Sequence, residues 1–486
     1  FTNDLFNKFK DFDNFKIHHI EGSKSLDSIE TSDNNIFVMS KQLLQKYIND
    51  KTIMKIKNLK LDIIGFDENH FSGTTDLSKD ILTSYSSKNT IKIYLTATYN
   101  KPLKEWNILK ECQMYWDIED EQLCKKRDIN KLKEKHNIEH INVEDLKIYD
   151  NMPNLHLITN MFDQERYQEL KRNLNKENKF GFCFDTLFSL TKTKTRFIFE
   201  DQVITFLRYI SSSYENDGTN TIFYRIKRIC SNQHTRIPFT QIWFLPSDNI
   251  NEISLCLKQL MEKDKILKNY HVMNINRKCK EIKNVKDDIE KNYIESVERG
   301  NKGLILLAGN MLNLGITIKS CDMVILLNNS LSSDKVMQQM YRCMTEDENK
   351  KIGFVVDLNI SRVLNTCINY TIYKNEHDIS EKLKYMIDYN LINIDIDNFD
   401  NKKCNSDKIV KKLMDIWKND PINGFKILLR KLDNDYQEFD NYTQKLLNKY
   451  FTKSLKDDKI NASVLIKDSD DEKQIFILEH TTTKAI

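Results

Sequence analysis

Glycine and proline are scarce in this chain, at 11 and 5 of 486 residues. That excludes collagen-like and Gly/Pro-rich low-complexity architectures. No apolar run approaches the roughly 18–20 residues that a membrane span needs, and charged residues make up 30%. The 10 cysteines are scattered, with no C-x-x-C pair. They read as reduced thiols of an intracellular protein, whether cytoplasmic, nuclear or in a virion, and not of a secreted one. No secretory signal opens the sequence. The net charge of +3 names no partner by itself. Also absent is any G-x-x-x-x-G-K-[ST] string, the loop whose backbone N–H groups cradle phosphates. Gly22-Ser23-Lys24-Ser25 lacks its first glycine and a strand leading into it.

What is present is ample material for cores. The chain carries 25 Phe and 20 Tyr, and its length suits about three domains of about 150 residues. The spacing of Leu5, Phe6, Phe9 and Phe12 predicts a helix. Residues 36–39 read as a strand, with Ser40 as the N-cap of a following helix. The stretch Leu61 to His70, LDIIGFDENH, organises the first part of the chain. Its apolar run reads as a buried parallel strand, expected at 63–66. Asp67 and Glu68 follow at the carboxyl end, where open α/β sheets bind ligands. Two acids there suit a metal–nucleotide complex, one holding Mg²⁺ through water and one accepting a proton from an attacking water. A helix over 76–86 and a strand over 91–98 complete a strand–helix–strand pattern, which predicts a parallel sheet.

Residues 103–150 read as charged and mainly helical, followed by a short strand at 155–159 and a helix-rich stretch over 163–235. A second α/β pattern then begins. Strands are expected at 240–245, at YHVMNIN, at 303–309, 323–329 and 352–358, with helices at 251–263, 286–299 and 333–343. Residues 370–450 read as helices with polar links, and 452–486 as a charged, weakly patterned tail.

The D-E-N-H string, the Thr96-Ala97-Thr98 triplet after the next strand, and NLGITIKSCDMVILL and QQMYRCMTEDENKKIGFVVDL in the second sheet lie in a telling order. Together with WFLP after a strand and NNIFVMSKQLLQ before the acids, they resemble motifs Ib to VI of superfamily 2 helicases and translocases over roughly residues 1–360. The signature looks like the restriction-enzyme or chromatin-remodelling type, or like helicases of large DNA viruses, more than like DEAD-box proteins. The resemblance implies an α/β fold of two RecA-like parallel-sheet lobes, the first incomplete, followed by a helical accessory region. The expected domains are 1–155, lobe 1 without its phosphate-loop strand; 156–238, a connecting insertion; 239–365, lobe 2; 366–450, the helical region; and 451–486, a tail or linker.

The resemblance also implies roles. Asp67 would hold Mg²⁺ through water and Glu68 would be the general base. His70 would link the nucleotide site to motif III, and Thr96, Ala97 and Thr98 would couple hydrolysis to strand movement. Gly315 and Thr317 of motif V would touch nucleotide or nucleic-acid backbone, while Ser40 and Asn313 would touch nucleic acid. Gln338 and Arg342 match the family's Q-x-x-x-R, with Arg342 as the candidate arginine finger. The family pattern has a second arginine three residues further on; here that position is Thr345. The implied cofactors are ATP and Mg²⁺. The implied partner is DNA or RNA, within a restriction, transcription or replication complex. The missing phosphate loop, with Phe1 in place of Met, suggests a fragment whose loop lay upstream, and predicts negligible ATP turnover by residues 1–486 alone.

Other candidates read more plainly. His136 and His140 have a metal-like spacing but no third ligand. Trp243 and Phe244 read as core and not as a base-stacking platform. Lys125-Lys126-Arg127 and the lysines of 165–194 could meet phosphates or could simply be solvated.

Overall fold

The computed structural model describes residues 10–20, 34–40, 61–67, 83–96, 108–159, 184–213, 221–276, 284–312, 317–328, 333–347 and 350–358, with positions 6, 43, 330, 362, 380–381, 384, 393–396 and 411. The chain divides into two compact units, Phe1–Tyr115 and Trp116–Ile486.

The first unit holds two parallel strand pairs. β1 (Lys16–Ile20) pairs with β2 (Asn35–Met39), and β3 (Ile63–Phe66) pairs with β4 (Ile91–Tyr94). β2, β3 and β4 fall where the apolar runs put them, although β4 stops at Tyr94. β1 is a strand the sequence pattern did not suggest. Its two histidines break the apolar run, yet His18 Nε2 lies 2.8 Å from Asn35 Oδ1 and its ring stacks on Phe37 at 5.3 Å. Of the helix expected near the start, the described residues are Phe6 and a 3₁₀ turn, Lys10–Phe12, whose Phe12 meets Phe6 edge-on.

The second unit opens with a small helical module. α1 (Ile118–Lys126) starts on a capping box in which Asp117 accepts from the Glu119 and Asp120 N–H groups and Asp120 accepts from the Asp117 N–H. α2 (Ile129–His136) is capped by Asp128. Leu123, Cys124, Leu132 and Leu146 form the core of this module. Lys125 and Arg127, two members of the basic run, are spent inside it. Lys125 Nζ donates to Met152 O at 2.6 Å, and Arg127 donates to Cys124 O, Leu146 O and Asp150.

Beyond the module lies a parallel sheet that has seven strands among the described residues. These are β5 (Asn154–Thr159), β6 (Thr240–Phe244), β7 (His271–Ile275), β8 (Leu304–Ala308), β9 (Cys321–Leu326), β10 (Ile352–Val356) and β11 (Asn393–Ile396). Their order is β11-β5-β10-β9-β6-β8-β7. Every residue of β6, β8, β9 and β10 is buried, the pattern of parallel strands covered on both faces. The α/β reading therefore holds, with two differences of detail. β5, expected at the junction of lobe 1 and the insertion, pairs in register with β10 from Ile352↔Asn154 to Val356↔Ile158. β11 lies in the stretch read as helical and pairs with β5. Strand partners are chosen by non-local packing, which a local period does not report.

The connecting stretch supplies α3 (Phe184–Leu187), α4 (Glu200–Ser211) and α5 (Ile222–Gln233), and the second sheet adds α6 (Ile250–Met261), α7 (Val285–Glu298) and α8 (Ser333–Met340). One face of the sheet, including Trp243, Ile305, Leu307 and Phe354, shares a core with Phe188, Phe206, Ile226 and Leu257. Trp243 is fully buried, with its Nε1 donating to Gln241 Oε1, as a core residue.

Candidate nucleotide and nucleic-acid site

In the first unit, Asp67 directly follows β3 and is exposed. β3 and β4 run parallel with Phe66↔Tyr94 in register, and Leu95 N donates to Phe66 O at 2.7 Å. Asp67 and the half-buried Thr96 thus leave the same, carboxyl end of the pair. Ser40 follows β2 and its Oγ accepts from Leu43 N at 3.2 Å, an N-cap type of bond. Glu68, His70, Ala97 and Thr98 lie outside the described residues.

In the second unit, β8 leads into a 3₁₀ turn, Asn310–Leu312. Asn313 and Gly315 lie outside the described residues; Thr317 is exposed. Gln338 sits in α8, and Arg342 in the 3₁₀ turn Tyr341–Met344 that follows, both half-buried. That turn is pressed onto β10. A Cβ at Gly353 would stand 2.6 Å from Cys343 O and 2.9 Å from Met344 Sδ. Glycine at 353 is what lets the Arg342 turn approach the sheet.

A buried polar network holds the carboxyl edge of this sheet, and the sequence reading did not single it out. Arg362, 3% exposed, donates from Nε to Asp357 Oδ2 at 2.9 Å and from Nη2 to Asp357 Oδ1 at 2.7 Å. Its Nη1 donates to the carbonyls of Asn328 and Ser330. Asn328 Nδ2 in turn donates to Gln339 Oε1 at 3.2 Å and lies 3.5 Å from Phe244 O. Asn328 follows β9, Asp357 follows β10 and Phe244 ends β6. The network therefore ties three strand ends to α8, the helix that carries Gln338. The bond from α8 to Asn328 is made by Gln339, the residue after Gln338. The available signal was an aspartate directly after the IGFVV strand, followed five residues on by an arginine.

The opposite edge has its own clamp. Arg236 donates to Asp322 Oδ1 from Nε and Nη2, while Asp322 Oδ2 accepts from Phe239 N and Thr240 N. Arg236 also reaches Asp347 at 2.8 Å. Nearby, burial pushes the Cys343 thiol up to about 12, so it is protonated and inert.

The α1–α2 module concentrates charge. Lys135 Nζ touches Asp117, Glu119 and Asp120 at 3.2, 3.1 and 2.9 Å. His136 Nε2 lies 2.7 Å from Asp120 Oδ1 and its ring stacks on Trp116. Asp117 Oδ2 and Glu121 Oε2 are buried without a hydrogen-bond partner. Burial pushes Asp117 up to about 7 despite Lys135; burial, then the charges of Asp117 and Asp120, pushes Glu121 to about 7. His136 is engaged with a carboxylate, and the described residues contain no group of three or more His, Cys, Asp or Glu side chains that could hold a metal.

The described residues do not complete a site for ATP and Mg²⁺. Asp67 is one carboxylate at a strand end, and no G-K-[ST] loop accompanies it in this sequence. No hydrolytic step follows from these residues alone.

No protein-family model matches the chain, and no curated protein sequence does. Among solved structures, the ATP-dependent Type ISP restriction-modification enzyme LlaBIII bound to DNA is 13% identical, with a TM-score of 0.47, covering 95% of this chain and 32% of its own. Dbp5 of S. cerevisiae bound to RNA and ADP BeF3 is 12% identical at a TM-score of 0.34, covering 84% and 75%. The helicase Lhr of Mycobacterium smegmatis bound to ssDNA and AMP-PNP is 9% identical at 0.35, covering 73% and 36%.

Proposed function

We propose that the chain belongs to a superfamily 2 nucleic-acid-dependent ATPase, a helicase or translocase of the DExH type that uses ATP and Mg²⁺. The observation that carries this reading is the order of its motifs on parallel strands. An acid pair follows β3 in the sequence, the Thr96-Ala97-Thr98 triplet follows the in-register β4, and Q-x-x-x-R occupies α8 and the turn seated on β10. In this reading Asp67, Glu68, His70, Gly315, Thr317, Gln338 and Arg342 serve the nucleotide, while Ser40 and Asn313 serve a DNA or RNA backbone. The restriction or remodelling type, or a viral helicase, is its finer form.

The second reading is a catalytically dead nucleic-acid or assembly module. The absence of a G-K-[ST] loop from these residues, and Thr345 in place of a second arginine, favour it.

One experiment separates them. The coding sequence immediately upstream of Phe1 is read, and the longer chain is assayed for ATP turnover with and without nucleic acid. The expected outcome is a G-K-[ST] loop there, stimulated turnover, and loss of that turnover in Glu68→Gln with nucleic-acid binding retained. Unchanged turnover in Glu68→Gln removes Glu68 from the role of base. A start codon without such a loop selects the non-catalytic module. Purified 1–486 is expected to turn over no ATP; robust turnover overturns the need for the loop.

A further inference from the structure

We propose that an exposed hairpin tip at residues 191–196, Thr-Lys-Thr-Lys-Thr-Arg, grips the sugar-phosphate backbone of a nucleic acid. The tip is held rigidly from below. Leu190 and Phe197 form an antiparallel bridge, Thr191 N donates to Arg196 O at 3.0 Å, and Ile198 N donates to Ser189 O at 2.9 Å. Phe188 and Phe197 anchor it in the core with their rings 5.8 Å apart. The turn closes through Lys194 N to Thr191 O at 2.8 Å, with Lys194 at a φ of 56°. Glycine is the usual residue in that left-handed position. Here a lysine accepts the conformation, which is strained for an ordinary L-residue. Its Nζ donates to Asn249 Oδ1 at 2.6 Å.

Asn249 is the N-cap residue of α6 and forms no side-chain cap bond to that helix. It stands just past the carboxyl end of β6, so Lys194 ties the tip to the carboxyl edge of the second sheet, the edge at which open α/β sheets bind ligands. Residues 192–196 are all exposed. Among the described residues, no acidic side chain pairs with Lys192, Lys194 or Arg196. By contrast Lys135, Arg236 and Arg362 are all neutralised by carboxylates. The acids next in sequence, Glu200 and Asp201, occupy the first turn of α4, where negative charge suits the helix dipole. The hydroxyls of Thr191, Thr193 and Thr195 link at 3.2 and 2.9 Å, which lines three hydroxyls up between the cations.

Lys, Arg and Thr are phosphate-binding side chains, and contacts of this kind position a strand without reading its sequence. No aromatic residue occurs within 191–196 to stack on bases. The tip therefore fits the backbone and not the bases. The proposal rests on the nucleic-acid reading above, which nothing yet assigns to this hairpin.

The test measures binding of fluorescein-labelled single-stranded DNA, duplex DNA and RNA by chain 1–486 across a salt series. Lys192→Glu/Arg196→Glu is compared with wild type and with the neutral Lys192→Gln/Arg196→Gln. Lys286→Glu/Lys291→Glu is the control, with the same charge change on exposed positions of α7. Loss of two phosphate contacts should weaken binding and flatten the slope of log K against log salt by about 1.4 on single strands and about 1.8 on duplex. The control should keep the wild-type slope. If wild type binds but the hairpin variants share its slope, the hairpin proposal falls and the wider reading stands. Equal loss in the α7 control also overturns it, because net charge then explains the effect. Wild type that binds none of the three probes overturns the hairpin and the nucleic-acid reading together.

Discussion

The β3–β4 pair of the first unit and the sheet of the second unit obey the same rules of pairing and end differently. Both are parallel and in register. In the pair, Ile63, Ile91, Ile93 and Leu95 are 56, 60, 42 and 46% exposed, and the register sets them on one face. In the second sheet, Leu304 to Ala308 and Cys321 to Leu326 are at most 2% exposed. Alternation decides which residues share a face; only covering layers turn that face into stability. The second sheet is also fastened at both ends by arginine–aspartate pairs, buried at the carboxyl end and half-buried at the other, and the β3–β4 pair has no such clamp among the described residues.

The comparison can be broken most directly at its strongest point. Arg362→Ala removes both charge-assisted bonds that the buried Asp357 carboxylate receives from that guanidinium and should destabilise the second unit by about 3–5 kcal/mol. Urea unfolding monitored by tryptophan fluorescence measures this; a wild-type midpoint would show that the carboxyl edge is not locked. Next comes a matched pair of truncations. Leu306→Ala should cost about 2–5 kcal/mol, whereas Ile91→Ala should stay within about 0.5 kcal/mol. Equal costs would erase the contrast between covered and bare strands. Gly353→Ala should cost about 1–3 kcal/mol as the Arg342 turn is forced off β10, detectable as a lowered unfolding midpoint.

The most local effect is on pH dependence. Folded Asp117 and Glu121 titrate near 7, above the ordinary 3.8 and 4.5. Between about pH 4 and 7 the folded state therefore holds more protons than the unfolded chain, and stability should fall as pH rises through that window. Asp117→Asn keeps an N-cap residue and removes the ionisation. It should flatten the dependence of the urea midpoint on pH; a slope identical to wild type would show that Asp117 does not carry it.

Much of the second sheet was legible because its central strands hold unbroken apolar runs such as LILLA and MVIL, bounded by helices with clear periods. β1 was not, because His18 and His19 interrupt its apolar run, and His18 finds a hydrogen-bond partner in Asn35 of the neighbouring strand. The pairing of β5 was invisible for another reason: its partner β10 lies almost two hundred residues away, and periodicity carries no partner identity. At the candidate site, Gln338 falls in α8 and Arg342 in the 3₁₀ turn that follows, within the stretch 333–343 that reads as one helix in the sequence. Arg362 escaped because a lone arginine after a strand looks like surface until its burial is known.

The placement of β5 also has consequences for folding and for dividing the chain. A cut before residue 239, at the expected start of the second lobe, would remove the strand between β10 and β11 and bare an apolar edge of the kind that invites aggregation. A cut before Trp116 keeps it. During synthesis β5 emerges long before β10, so its buried residues Leu155, Leu157 and Ile158 must wait for a distant partner. Long-range parallel pairing of this sort is intrinsically slow. The connecting helices α3, α4 and α5 are then the first cover available to that waiting strand.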